Sequence, residues 1–178
     1  MENRRLGHVW EGGRAPGMTA TVYAHDDDNY PDESRWVPGE AGTPSEVFAG
    51  SYLHIQLERA RAYPNGVIVT LTVRAGALAG REAQRAFAGE VLSFRSGDLA
   101  GPRLERVIGS GEVHSVDPWG HGGSGGIYSL PYWIPFRDET GAPLSLRFSW
   151  AGRGVEHEFE YSAGELQRAH AASRQVIS

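Results

Sequence analysis

Hydrophobic and polar residues alternate with a period of two along residues 144–150 and 155–161. In the first stretch four apolar residues share one face: Leu144, Leu146, Phe148 and Trp150. In the second, three glutamates occupy the outward face: Glu156, Glu158 and Glu160. Because successive side chains of a strand point to opposite faces, the pattern predicts an antiparallel hairpin with one buried and one exposed face.

The same alternation recurs in residues 53–57 and 67–73, on either side of a turn signal. In that signal, Pro64 fixes φ, and Asn65-Gly66 tolerates positive φ. The second of these stretches is rich in β-branched residues, which pack well on a pleated sheet. A second hairpin is therefore predicted.

A third alternating run, residues 128–136, contains Pro131 and Pro135. Proline has no N–H to donate to a ladder, so this run is predicted to lie at a sheet edge or beside a bulge. Trp133 has the opposite parity to its apolar neighbours, which places its ring outside the main core.

The chain ends with a predicted helix over residues 162–175. Ser162 followed by Glu165 is a capping box, and five residues fall on one narrow face: Leu166, Ala169, His170, Ser173 and Val176. Residues 75–90 fit either a short helix or a loop, and residues 91–94 fit a short strand.

Together these elements predict a single all-β domain over residues 1–178, an antiparallel β-sandwich of seven or eight strands with one C-terminal α-helix. Residues 1–50 are its loop-rich N-terminal part, residues 51–161 the sandwich core and residues 162–175 the helix.

Composition excludes several kinds of chemistry. The 178-residue chain has no cysteine and no lysine, which rules out thiolate and Schiff-base catalysis and cysteine-ligated zinc. A net charge of −5 argues against a nucleic-acid partner. No apolar run is long enough to span a membrane and the N-terminus lacks a signal-peptide pattern, so a cytoplasmic protein is expected.

The motifs for catalysis and metal binding are incomplete. Residues 122–126 match G-x-S-x-G, but no helix is predicted after the serine, and a flexible glycine loop is favoured. Asp26 and Asp28 belong to an acidic run without the glycine of a calcium loop. His114, Asp117 and His121 are the best remaining metal ligands, although their spacing fixes no geometry. We therefore expect no metal and no cofactor.

The best candidate binding residues are aromatic. Trp36 and Trp119 lie in loop-like sequence, Trp133 lies between two prolines, and His121 lies in the glycine-rich stretch. Exposed tryptophan is enriched at recognition surfaces, whereas the alternative is that each ring covers the rim of the sandwich.

Two parts of the chain carry a resemblance. The hairpin YLHIQLERARAYPNGVIVTLTVR, and the order of a glycine-rich stretch, Tyr132-Trp133-Ile134-Pro135, APLSLRFSW and GVEHEFEYSAGEL, resemble a group of uncharacterised actinobacterial, Streptomyces-like β-sandwich proteins of unknown function. The resemblance covers residues 51–75 and 120–175, and the arginine-only basic set fits a GC-rich genome. It implies a fold and carries over no functional residue.

Three functions remain open from the sequence. The first is a non-catalytic structural or protein-interaction module with a possible protein partner. The second is a small-ligand or carbohydrate-binding sandwich that uses loop tryptophans, and the third is a metal-dependent enzyme. Oligomeric state cannot be read from the sequence.

Overall fold

The computed structural model describes Glu33 and residues 35–78, 80–93, 101–109, 111–116, 118–136 and 141–176. Within these residues the chain forms two α-helices, α1 (Gly80–Val91) and α2 (Ala163–Ala172). The strands are β1 (Trp36–Val37), β2 (Gly39–Ala41), β3 (Ser45–Ala49), β4 (Leu53–Leu57), β5 (Ala60–Tyr63), β6 (Gly66–Ala75), β7 (Pro102–Val107), β8 (Val113–Val116), β9 (Gly122–Ser124), β10 (Ile127–Pro135), β11 (Leu144–Trp150), β12 (Val155–Tyr161) and β13 (Arg174–Gln175).

The described strands form antiparallel sheets, which confirms the all-β fold class. A seven-stranded sheet has the order β2-β5-β6-β10-β9, with β4 pairing along β6 beyond β5 and β3 pairing with β4. A four-stranded sheet has the order β12-β11-β7-β8, and β1 pairs with β13. The described residues thus form thirteen strand segments, more than the seven or eight predicted.

Both predicted hairpins are present. Strands β11 and β12 pair from Leu144–Tyr161 to Trp150–Val155, and Gly154 closes the turn with a φ of 63°. The turn of the central hairpin consists of Pro64 and Asn65, but the first arm of the hairpin is split into β4 and β5. The residues between these two strands shift the parity, so that Leu57 and Ala60 are both buried.

One buried apolar cluster joins the two larger sheets and both helices. It includes Tyr132 of the seven-stranded sheet, Trp150 of the four-stranded sheet and Leu166 of α2. The ring of Phe87 in α1 lies 5.9 Å from that of Tyr128 and 6.4 Å from that of Trp150. The shared core fits a single domain, whereas a sandwich arrangement of the sheets remains a prediction.

The helices differ from the prediction in number and extent. There are two in the described chain, because residues 80–91 form α1. The short strand predicted over residues 91–94 is wrong for residues 91–93, since Val91 ends this helix and the next two residues are not in a strand, and Phe94 lies outside the described residues. Helix α2 ends at Ala172, and Arg174 and Gln175 instead form β13. Val176, predicted on the helix's apolar face, is 45% exposed.

The glycine-rich stretch is more ordered than the predicted flexible loop. Residues 122–124 form β9, which pairs with the start of β10 through a turn at Gly125 and Gly126. Gly123 has a φ of 139°, and a Cβ there would lie 2.1 Å from the carbonyl oxygen of Ile127. Only glycine fits this position without displacing the ladder.

The prolines of β10 lie on the side of the strand that faces away from β6. The N–H of Phe136 donates to the carbonyl of Asn65, on the β6 side, whereas the carbonyl of Pro131 accepts from Trp119 N–H on the opposite side. Because backbone groups alternate, odd-numbered residues of β10 face away from β6. Beyond residue 129, β10 meets only an isolated bridge between Pro118 and Tyr132 on that side, among the described residues. The prolines, which have no N–H to donate, therefore lie on a sparsely paired side of the strand, although β10 as a whole lies between β6 and β9 and is not an edge strand.

Candidate ligand-binding cleft

Trp133, a predicted recognition residue, lies in a second, small apolar cluster. This cluster consists of Tyr63, Ile68 and Trp133, with the half-buried Trp36 packed against it. The rings of Tyr63 and Trp133 meet edge to face at 6.2 Å, and Trp133 is only 7% exposed. The parity prediction is correct, since the ring lies outside the main cluster, but the ring is covered rather than displayed on the surface.

Residues near both ends of the described chain meet at this small cluster. Trp36 belongs to β1, which pairs with β13, and Val176 N–H donates to the carbonyl of Arg35 at 2.7 Å. The Tyr63 hydroxyl donates to Glu33 at 3.0 Å. Burial, helped by this hydrogen bond, raises the pKa of Tyr63 to about 12. Trp36 and Trp133 therefore meet at a packed seam and not at an open site.

The other residues predicted to bind a ligand or a metal do not form a site with one another among the described residues. Trp119, 38% exposed, and His121, also exposed, lie in the connection between β8 and β9. His114 Nε2 lies 2.9 Å from a carboxylate oxygen of Glu112. Asp26, Asp28 and Asp117 lie outside the described residues. No group of three or more potential metal-ligating side chains occurs in the part of the chain that the structure describes.

A cleft of about 110 Å³ opens instead between α2, the end of β10 and the start of β11. Its lining is predominantly apolar, with walls that include Ile134, Pro135, Phe136, Pro143, Leu144 and Leu166. An enclosed apolar cavity of roughly 150 Å³ is able to bind benzene. A single ring or short aliphatic chain is therefore the size of molecule that this cleft suits.

Polar groups reach this cleft from Arg106, Gln167 and His170. His170 Nδ1 lies 3.1 Å from the carbonyl oxygen of Tyr63, so Nδ1 donates. In the neutral ring Nε2 is then the acceptor, and no side chain or backbone group of the described residues donates a hydrogen bond to it. The ring also meets Phe136 edge to face at 5.9 Å, which fixes its plane.

Helix α2 is held firmly beside this cleft. Its capping box is present: Glu165 N–H donates to Ser162 Oγ at 3.3 Å, and Ser162 N–H donates to the Glu165 carboxylate at 3.1 Å. On its other side the helix approaches β2 so closely that a Cβ on Gly39 would lie 1.9 Å from the carbonyl oxygen of Ala169. The cleft is thus walled by a capped and closely packed helix.

A second, wider depression lies between α2 and β2, next to Gly42 and Ala169. Its carboxylates already have partners, because Glu40 pairs with Arg59 at 2.7 Å and Glu165 belongs to the capping box. It has few apolar side chains to bury a ligand. The α2 cleft is therefore the better candidate site.

The sequence contained a signal for two residues of the cleft. Arg106 follows Pro102 and Leu104 at alternate positions of β7, so an arginine occupies the face on which those residues are buried. His170 lies on the apolar face predicted for the C-terminal helix. In both cases the sequence signal is a charged or titratable residue at the end of an apolar face. That Arg106 and His170 line the same cleft was not predictable from their separation along the sequence.

Comparison of the chain with protein-family models found no match, and comparisons with curated proteins and with solved structures found no significant similarity. The resemblance to actinobacterial proteins therefore stays a prediction. In the described residues no helix has the length and apolar character needed to cross a membrane.

Proposed function

We propose that this protein is a non-catalytic binding protein and that its ligand is a small, largely apolar molecule held in the α2 cleft. The observation that carries this proposal is the combination of an apolar cleft with a few polar groups at its border. Such a combination is typical of small-molecule sites, in which apolar walls supply affinity and polar groups fix orientation. A cytoplasmic location and an actinobacterial origin belong to the same proposal.

The cleft offers a ligand two kinds of interaction. Its walls bury one ring or a short chain, at about 25 cal/mol for each Å² of apolar surface removed from water. His170 Nε2 is positioned to accept a hydrogen bond because the Tyr63 carbonyl holds Nδ1. A ligand hydroxyl or amide N–H would satisfy this acceptor.

The cleft is a better candidate for a ligand than the loop tryptophans. Trp36 and Trp133 contribute to a covered cluster, so a sugar would have no open aromatic face to stack on there. Trp119 is partly exposed but does not line the cleft. A small apolar ligand therefore fits the described surface better than a carbohydrate bound through stacked indoles.

The test is fragment binding followed by ¹H–¹⁵N NMR, because single-ring ligands bind at about millimolar affinity. Small aromatic and aliphatic probes should shift amides of α2 and of the ends of β10 and β11. Ala163→Leu places a larger side chain in the cleft and should abolish these shifts. Ala171→Leu, on an exposed position of the same helix, is the matched control and should leave them unchanged.

Binding that survives Ala163→Leu, or no binding from a panel of single-ring and short-chain probes, would refute the cleft as a ligand site. A folded Ala163→Leu protein, shown by an unchanged melting transition, is required for the comparison.

Protein binding along β12 is a second candidate function. Among the described strands β12 pairs only with β11, so no described strand pairs with its other edge. It has no proline, and its exposed face carries Glu156, Glu158 and Glu160. Glu158 pairs with Arg147 of β11 and Glu160 accepts a hydrogen bond from Ser145, so the charge that remains to favour a basic strand at this edge is chiefly that of Glu156 and Glu160. Replacing both glutamates (Glu156→Lys and Glu160→Lys) should weaken the binding of a basic peptide strand at this edge, whereas Ala163→Leu should not.

A further inference from the structure

The charged group in the cleft lining narrows the class of ligand. Arg106 is the one charged side chain assigned to the cleft among the described residues, apart from the titratable His170, and no described aspartate or glutamate lines it. The chain as a whole carries a net charge of −5. The positive charge of Arg106 at the cleft is therefore opposite in sign to the net charge of the chain.

The position of Arg106 follows from the parity of β7. Pro102 and Leu104 are buried, and Arg106 is the next residue on that face, half-buried at the border of the cleft. Its neighbours across the strand pairs are Leu146 of β11 and His114 of β8. The sheet thus holds the arginine stem beside the apolar walls.

A guanidinium in such a place favours a planar anion. It carries five N–H donors in a fixed fork that matches a carboxylate, and it remains charged at all physiological pH values. Arg106 also takes part in another interaction within the chain. Five donors allow a guanidinium to hold more than one partner, so that interaction does not exclude a ligand.

We propose that the α2 cleft selects small monocarboxylates, with the apolar body of the acid against Phe136 and Leu166 and its carboxylate at Arg106. This inference rests on the proposed function and adds the chemical class of the ligand. The cleft volume of about 110 Å³ limits the buried body to one ring or a short chain.

The experiment compares benzoate with nitrobenzene, which has nearly the same shape but no net charge and no N–H donor for His170, by NMR titration of the whole chain at neutral pH. A charge-assisted hydrogen bond is worth about 1.5–3 kcal/mol, so benzoate should bind roughly ten- to a hundredfold more tightly. Arg106→Gln should remove this preference for benzoate. Arg103→Gln, on the opposite face of the same strand, should leave the preference intact.

Equal affinities for benzoate and nitrobenzene in the wild-type protein would overturn the inference and leave the proposed function standing. A benzoate preference that persists in Arg106→Gln would also overturn it, because the charge would then act from elsewhere. If Arg106→Gln does not fold, the wild-type comparison of the two probes decides by itself. Loss of binding by both probes and by the wider fragment panel would refute the proposed function together with the inference.

Discussion

At the scale of single residues, Trp133 shows how a large ring outside the main core is still buried. It pairs across the sheet with Ile68, and both side chains lie on the face opposite to the main cluster. Trp36 packs over them from β1. The ring is therefore a stability element of the sheet's second face.

Trp133→Ala should lower the free energy of unfolding by about 3–5 kcal/mol, because it leaves a cavity between Tyr63, Ile68 and Trp36. Trp119→Ala, at a 38% exposed residue, is the control and should change it within about 1 kcal/mol. Chemical denaturation of both variants measures the difference. A Trp133→Ala protein as stable as the wild type would show that the ring is a surface anchor instead.

At the scale of one element, α2 shows how a local sequence signal is realised in a tertiary setting. Ser162 and Glu165 predicted its first residue correctly, since the helix begins at Ala163 with both capping hydrogen bonds formed. Its end was set by packing, because β13 takes Arg174 and Gln175 to pair with β1.

Ser162→Ala should lower the free energy of unfolding by about 1 kcal/mol at neutral pH, because the cap of α2 is lost.

Hydrogen bonds from the Ser162 side chain and backbone hold the pKa of Glu165 below its usual range. A lowered folded-state pKa stabilises the fold above the unfolded pKa of about 4.3, and this contribution is lost as the pH falls through the folded value. The stability difference between wild type and Glu165→Gln should therefore shrink as the pH is lowered from 7 to below 4.

Urea denaturation of the wild type and of Glu165→Gln, from pH 7 to below pH 4, measures this difference in the free energy of unfolding. A difference that is constant with pH would show that the Glu165 carboxylate does not act through its charge.

At the scale of the whole molecule, the C-terminal segment contributes residues to the main apolar cluster and supports the small one through strand pairing. Leu166 and Ala169 of α2 belong to the main cluster, and β13 holds the strand that carries Trp36. His170 adds a link to Tyr63 through its hydrogen bond. The segment is therefore integral to the domain and not an appendage.

Deleting residues 163–178 should destabilise the protein by more than the loss of one buried leucine, which costs about 2–5 kcal/mol, and should promote aggregation through the uncovered core. Leu166→Ala provides that reference value, and Val176→Ala, at a 45% exposed position, should have almost no effect. Thermal denaturation and sedimentation measure both properties. A truncated chain that stays monomeric with an unchanged melting temperature would contradict this role.

The sequence by itself determined those features that depend on neighbouring residues. Alternation predicted the β11–β12 hairpin, and Pro64-Asn65-Gly66 predicted the central turn. Pro131 with Pro135 predicted an edge or a bulge, and the structure has sparse pairing along one side of β10 instead. Each signal acts over a few residues, through backbone geometry, φ preferences or a missing donor, so it can be read without knowledge of the fold.

Only the tertiary structure decided which faces are covered and which side chains meet. The parity shift between β4 and β5 and the burial of Trp133 depend on partners far along the chain. The same is true of the cleft, where Arg106 of β7 and His170 of α2 contribute to one surface. Periodicity places a side chain on a face, but the pairing of distant strands and helices determines what that face contacts.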